Sequence, residues 1–175
     1  LNLNDLEKAF LPFEQISIQI TSNIPIGRGY GSSAAVLAAL VKAFNNAFEL
    51  NLSDDEIFIR VYELECFWHG KSSGIDPIMA ILGGLQYIQP TNPPKLANAT
   101  KIKKSKLLDN LTYIDTGKSK SSTGECVSFV ANNSDLINWS EWGECTKNIK
   151  KSLDNNDLSE FKYYFRKNNE LLVKA

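Results

Sequence analysis

The stretch Gly-Arg-Gly-Tyr-Gly-Ser-Ser-Ala-Ala, residues 27–35, constrains this chain more than any other. Three glycines alternate with larger residues and lead through two serines straight into alanines. Glycine allows left-handed backbone dihedrals and close approach of the main chain to a ligand or neighbour. Before the stretch, residues 14–22 alternate: Ile16, Ile18 and Ile20 share one face, and Gln15, Ser17, Gln19 and Thr21 the other. That period predicts a half-buried strand, which Pro25 would end. After it, residues 33–50 are apolar on most sides, which predicts a buried helix. Two readings of the glycine stretch follow. In one it is an anion cradle, where backbone N–H groups and the positive end of the helix converge on a phosphate and the serine hydroxyls meet phosphate or metal. In the other it is a close-packed turn that lets the helix press against a sheet. A Walker loop would need a Gly-Lys-Ser/Thr that is missing here, and a dinucleotide fingerprint would need glycine where Ser32 stands.

A second cluster follows within residues 63–77, Glu-Leu-Glu-Cys-Phe-Trp-His-Gly-Lys-Ser-Ser-Gly-Ile-Asp-Pro. Ser53 and Glu56 form a capping-box pattern that opens a helix running to about Trp68, with Ile57, Val61, Leu64 and Trp68 as its apolar row. Glu65 continues the Ile57–Val61 row by four residues. It either points inward, where a carboxylate needs a cation, a metal or a proton, or is an ordinary exposed helical glutamate. Asp76 reads as the N-cap of a short helix near residues 75–82 or as a catalytic carboxylate at a helix start. His69, the one histidine, reads as a turn or hydrogen-bonding residue more naturally than as a base. Further on, residues 83–89 and 111–115 read as strands, residues 90–106 as a polar loop, and residues from 122 onward as helices broken near 132–133 and 154–157. The sum is a mixed α and β chain.

Composition narrows the partners. A formal net charge of -1 gives no basic footprint for nucleic acid, and no apolar run reaches the length of a membrane span. Cys66, Cys126 and Cys145 are odd in number and far apart, a pattern of reduced thiols rather than of zinc ligands or a disulfide framework. The expected setting is the cytoplasm.

The two clusters together resemble the GHMP kinase superfamily. Residues 24–35, Ile-Pro-Ile-Gly-Arg-Gly-Tyr-Gly-Ser-Ser-Ala-Ala, are similar to its ATP-phosphate loop, Pro-x-Gly-x-Gly-Leu-Gly-Ser-Ser-Ala-Ala. Glu65 with His69-Gly-Lys-Ser-Ser-Gly-Ile-Asp76 is similar to the Glu-x-x-x-His-Gly-x-Pro-Ser-Gly-x-Asp pattern of its mevalonate-kinase branch, and residues 113–123 resemble a third stretch of that branch. The resemblance implies an α+β GHMP-kinase fold in partial form. Residues 1–120 would belong to an N-terminal, ATP-binding domain like domain 2 of ribosomal protein S5, and residues 121–175 would begin a second α+β domain. It implies ATP and Mg²⁺ as cofactors and phosphorylation of a small molecule, mevalonate first. Pro25, Gly27, Arg28, Gly29, Tyr30, Gly31, Ser32, Ser33 and Ala34 would bind the ATP phosphates. Ser33 and Glu65 would serve Mg²⁺, and Asp76 would act as base. His69, Gly74 and Thr123, or its neighbour Ser122, would lie on the substrate side. A homodimer is compatible with the family. Tyr30 departs from the usual leucine and Ser72 from the usual proline; Lys71 beside it would meet an anionic substrate or solvent. The family's first and last motifs have no counterpart here, so the chain is expected to correspond to a central segment.

Overall fold

In the computed structural model, residues 16–109, 111–115, 117 and 123–174 are described. Helix α1 (Ser32–Ala47) starts directly from the glycine turn. Helix α2 (Asp54–His69) is opened by the expected capping box: the Ser53 hydroxyl accepts from the Glu56 N–H, and the Glu56 carboxylate accepts from the Ser53 N–H. These reciprocal bonds satisfy two otherwise free N–H donors at the helix start. A short helix, α3 (Ile75–Leu82), follows, then an antiparallel pair of strands, β1 (Gln86–Ile88) and β2 (Ala99–Lys101), in register Gln86 with Lys101 and Ile88 with Ala99. Helices α4 (Thr123–Asn132), α5 (Trp139–Asn155) and α6 (Leu158–Lys174) complete the order.

Helices α1, α2 and α3 pack together and hold the core beneath the glycine turn. One cluster joins Ala38 and Val41 of α1 to Ile57 and Val61 of α2, with Ala80 and Ile81 of α3 against it. A second joins Phe58 of α2, Ile78 of α3 and Leu96 of the strand-to-strand connection. Apolar burial at these contacts is what fixes the relative positions of the three helices. Helices α5 and α6 form a hairpin around buried Cys145, Leu153 and Phe161, with Lys167 bonded to Glu141 at 3.1 Å. Asn156, in the left-handed region at φ 53, caps α5, and its side chain accepts from Ser105 at 2.9 Å.

Several expectations are corrected. Residues 16–22 form no strand, and Ile16, Ile18 and Ile20 lie exposed; alternation supplies a face, but a strand also needs a ladder partner, and the one sheet among the described residues pairs β1 with β2. Residues 14 and 15 fall outside the described residues. The 111–115 segment is likewise no strand, with Tyr113 and Ile114 exposed. The loop expected over 90–106 contains β2, whose short Ala-Thr-Lys sequence carries no clear strand period. Helix α1 ends at Ala47 rather than near Leu50, and its burial is confined to the Ala34, Ala38 and Val41 face. Trp68, the last residue of the apolar row of α2, is 73% exposed, whereas Leu64 one turn earlier packs against the first cluster.

Candidate active site

Gly27, Gly29 and Gly31 all have positive φ, at 71°, 77° and 64°. Side chains rarely adopt that region, so the alternating glycines are what allow this turn to form. Gly31 is the N-cap of α1 and contributes no side-chain cap, and no acidic residue stands in the first turn. The N–H groups of Ser32, Ser33 and Ala34 precede the first helical bond, which Ala35 makes to the Gly31 carbonyl at 3.1 Å. Among the described residues they have no hydrogen-bond acceptor, and they stand at the positive end of a helix. Ala34 is fully buried and anchors that end in the core.

The start of α3 comes to the same place. A Cβ added at Gly31 would lie 3.9 Å from the carboxyl carbon of Asp76. Asp76 stands in the first turn of α3 and is solvent-exposed; the N-cap is Gly74, at φ 76, so the N-cap reading of Asp76 is corrected. Gly74 is buried against Pro94, whose ring atoms would sit 2.7 Å from any Cβ there. Position 74 therefore requires glycine for both its dihedrals and its space, and this tight fit sets where α3 begins.

The end of α2 closes the third side. His69 reaches Ser33, with Nε2 3.4 Å from the hydroxyl. Glu65 is 4% exposed, so its inward reading holds. Burial pushes its carboxyl pKa above the ordinary glutamate range; the Ser72 hydroxyl, donating to Glu65 Oε2, opposes that rise, the nearby Asp76 charge adds to it, and His69 opposes it. Glu65, His69, Asp76, Gly31 and Ser33 thus share one neighbourhood built from the ends of three helices.

Arg28 and Tyr30 project from the turn to residues 111–117. Arg28 pairs with Asp115, and the Tyr30 and Tyr113 rings meet edge to face, centroids 5.9 Å apart. Asp115 also accepts from the Gly117 N–H at 2.8 Å. Pro25 lies ahead of the turn and is exposed. Thr123 opens α4, and its side chain, like all of Ser122, lies outside the described residues.

The roles of Ser72, Tyr113 and Asp115 have no signature in the sequence; each depends on chain brought back by folding. A magnesium ion asks for hard oxygen ligands and keeps several waters, so one carboxylate and one hydroxyl beside a nucleotide's phosphates suffice chemically. Glu65 and Ser33 are of the right kind. Among the described residues, no group of three or more His, Cys, Asp or Glu side chains is arranged to hold a metal alone. No helix among them is long and apolar enough to cross a membrane.

Comparison with known proteins bears on the same residues. Residues 3–84 match the family model of the GHMP kinases N terminal domain. The chain is 44% identical to a mevalonate kinase of Pyrococcus abyssi over 72 residues, which are 41% of this chain and 22% of that protein. It is 42% identical to a mevalonate kinase of Thermococcus sibiricus over 74 residues, 42% of this chain and 22% of that protein. A homoserine kinase of Bacillus pumilus is 32% identical over 81 residues, 46% of this chain and 26% of that protein. The chain spans about a fifth to a quarter of the length of the curated relatives it matches. Both the glycine turn and the Glu65–Asp76 cluster fall inside the segment, residues 3–84, that matches the GHMP kinases N terminal domain.

Proposed function

We propose that the protein transfers the γ-phosphoryl group of ATP to the hydroxyl of mevalonate, giving 5-phosphomevalonate for isoprenoid precursor synthesis in the cytoplasm. The observation that carries this reading is the placement of Asp76 beside Gly31, a carboxylate at the mouth of a glycine turn and helix N-terminus. Phosphoryl transfer is mainly positioning and charge stabilisation, and these parts answer those needs. The turn from Gly27 through Ala34 binds the phosphates with backbone donors. Asp76 orients the substrate hydroxyl and takes its proton. His69, Gly74 and Thr123 lie on the substrate side. When bound, Mg²⁺ supplies positive charge against the phosphate oxygens, with Ser33 and Glu65 as its protein ligands. Residues 1–120 then belong to the ATP-binding domain and 121–175 to the start of the second, and a homodimer is open to test.

A second reading has specific support in the likeness to a homoserine kinase: a different small-molecule alcohol as acceptor within the same superfamily. A chain that binds nucleotide without turnover is the third. ADP release with Mg-ATP, measured separately with mevalonate, phosphomevalonate, galactose and homoserine, decides among them. Mevalonate-dependent turnover that Asp76→Asn abolishes is the expected result. Turnover with another alcohol moves the assignment within the superfamily, and binding without any turnover favours the third reading.

A further inference from the structure

Ser72 stands at the centre of a junction that the catalytic roles above leave unused. Its hydroxyl donates to Glu65 Oε2 and at the same time accepts from the Gly74 N–H at 3.0 Å. One oxygen atom therefore links a buried carboxylate near the end of α2 to the residue that caps α3. Glu65 needs such a partner, because a carboxylate buried without a donor loses its hydration uncompensated. Ser72 is the partner found for it among the described hydrogen bonds, and the bond occupies Oε2, leaving Oε1 for another ligand. The other half of the junction is equally constrained. Gly74 stands so close to Pro94 that a Cβ there would lie 2.7 Å from its ring, which ties the position of the N–H that Ser72 accepts to glycine at this residue. A proline at position 72 would offer no hydroxyl to either neighbour.

We infer that Ser72 is a positioning residue: its hydroxyl fixes the Glu65 carboxylate against the start of α3 so that Oε1 is presented to a divalent cation. The inference rests on the proposed function in one respect, namely that Glu65 meets a cation bound with nucleotide. Through Gly74 the same hydroxyl ties the carboxylate's position to the helix that bears Asp76. Removing a group that orients a metal carboxylate without touching the metal typically costs about 10- to 100-fold in metal affinity or activity.

The test uses the whole chain and Mn²⁺ as the probe, with protein-bound Mn²⁺ read by electron paramagnetic resonance in the presence of ADP. Amide exchange at Gly74 reports the other half of the junction. Ser72→Ala should weaken Mn²⁺ binding about tenfold and speed exchange at Gly74. Ser72→Thr, which keeps the hydroxyl, should restore both. Faster exchange with unchanged Mn²⁺ affinity would make Ser72 a turn residue only and overturn the inference. Tighter Mn²⁺ binding in Ser72→Ala would overturn it as well, because the hydroxyl would then be a competitor. If the unmodified chain binds no Mn²⁺ beyond that held by ADP itself, the metal role of Glu65 fails first and this inference with it, an outcome distinct from equal binding by wild type and variant.

Discussion

Arg28 and Asp115 are paired across 87 residues of sequence, and the pair ties the glycine turn to the segment over 111–117. The Gly117 N–H is the main cause that holds the Asp115 carboxyl below the ordinary aspartate range, and Arg28 adds to it. A depressed folded-state pKa stabilises the fold above the unfolded pKa, and that contribution fades as pH falls through the folded value. Asp115→Asn should therefore lower the urea midpoint slightly at neutral pH and low salt. The difference should vanish under acid conditions and shrink in about 1 M salt, where the Debye length is roughly 3 Å. Both side chains are about a third exposed, so the effect is small by construction.

Gly74→Ala should be far more damaging. It places a Cβ 2.7 Å from Pro94 in a backbone region that side chains rarely adopt. Strain and overpacking together should cost about 2–4 kcal/mol, read from denaturant unfolding. The same change at Gly27 meets open space and carries only the dihedral cost, so Gly27→Ala should cost less.

Glu65 should trade stability for function. Its pKa is raised chiefly by burial, so the folded state holds its proton more tightly than the unfolded chain does. The associated stabilisation is complete below the unfolded pKa and is lost as pH rises through the folded one. At neutral pH, Glu65→Gln, which keeps an oxygen for Ser72, should melt a few degrees above the wild type, and the gap should close under mildly acid conditions. Under the proposed function the same variant should lose metal-dependent turnover.

Asp76→Asn should separate chemistry from folding. The side chain is exposed, so its melting temperature should match the wild type. Under the proposed function, in which Asp76 is the general base, the variant should lower turnover about 10²- to 10⁴-fold, measured as ADP release at saturating Mg-ATP.

Helix starts were the most legible part of the sequence. The Ser53–Glu56 box is a local signal whose hydrogen bonds close within three residues, and α2 opens where expected; α1 and α3 also begin within a residue of their expected starts, but α3 is capped by Gly74 and not by Asp76. The inward Glu65 was legible as one of two readings, from its place in the Ile57–Val61 row. The expected strands over 14–22 and 111–115 were not recovered in the described residues, because β structure depends on a neighbour that a one-dimensional pattern does not specify. The contacts of Arg28, Tyr30 and Ser72 were hidden for a related reason. Arg28 meets Asp115, Tyr30 meets Tyr113 and Ser72 meets Glu65 only once the chain has folded back on itself, and no spacing rule encodes those pairs.

The three positive-φ glycines divide the turn into two independently variable parts. Positions 27, 29 and 31 supply backbone shape, and their positive φ values, rather than any lack of space, disfavour a side chain there. Positions 28 and 30 supply the side chains that reach Asp115 and Tyr113, and their own backbones carry no such restriction. A library randomised only at 28 and 30 could therefore retune what the turn touches while its donors stay in place. For an engineer, the loop is a fixed socket with two interchangeable fittings.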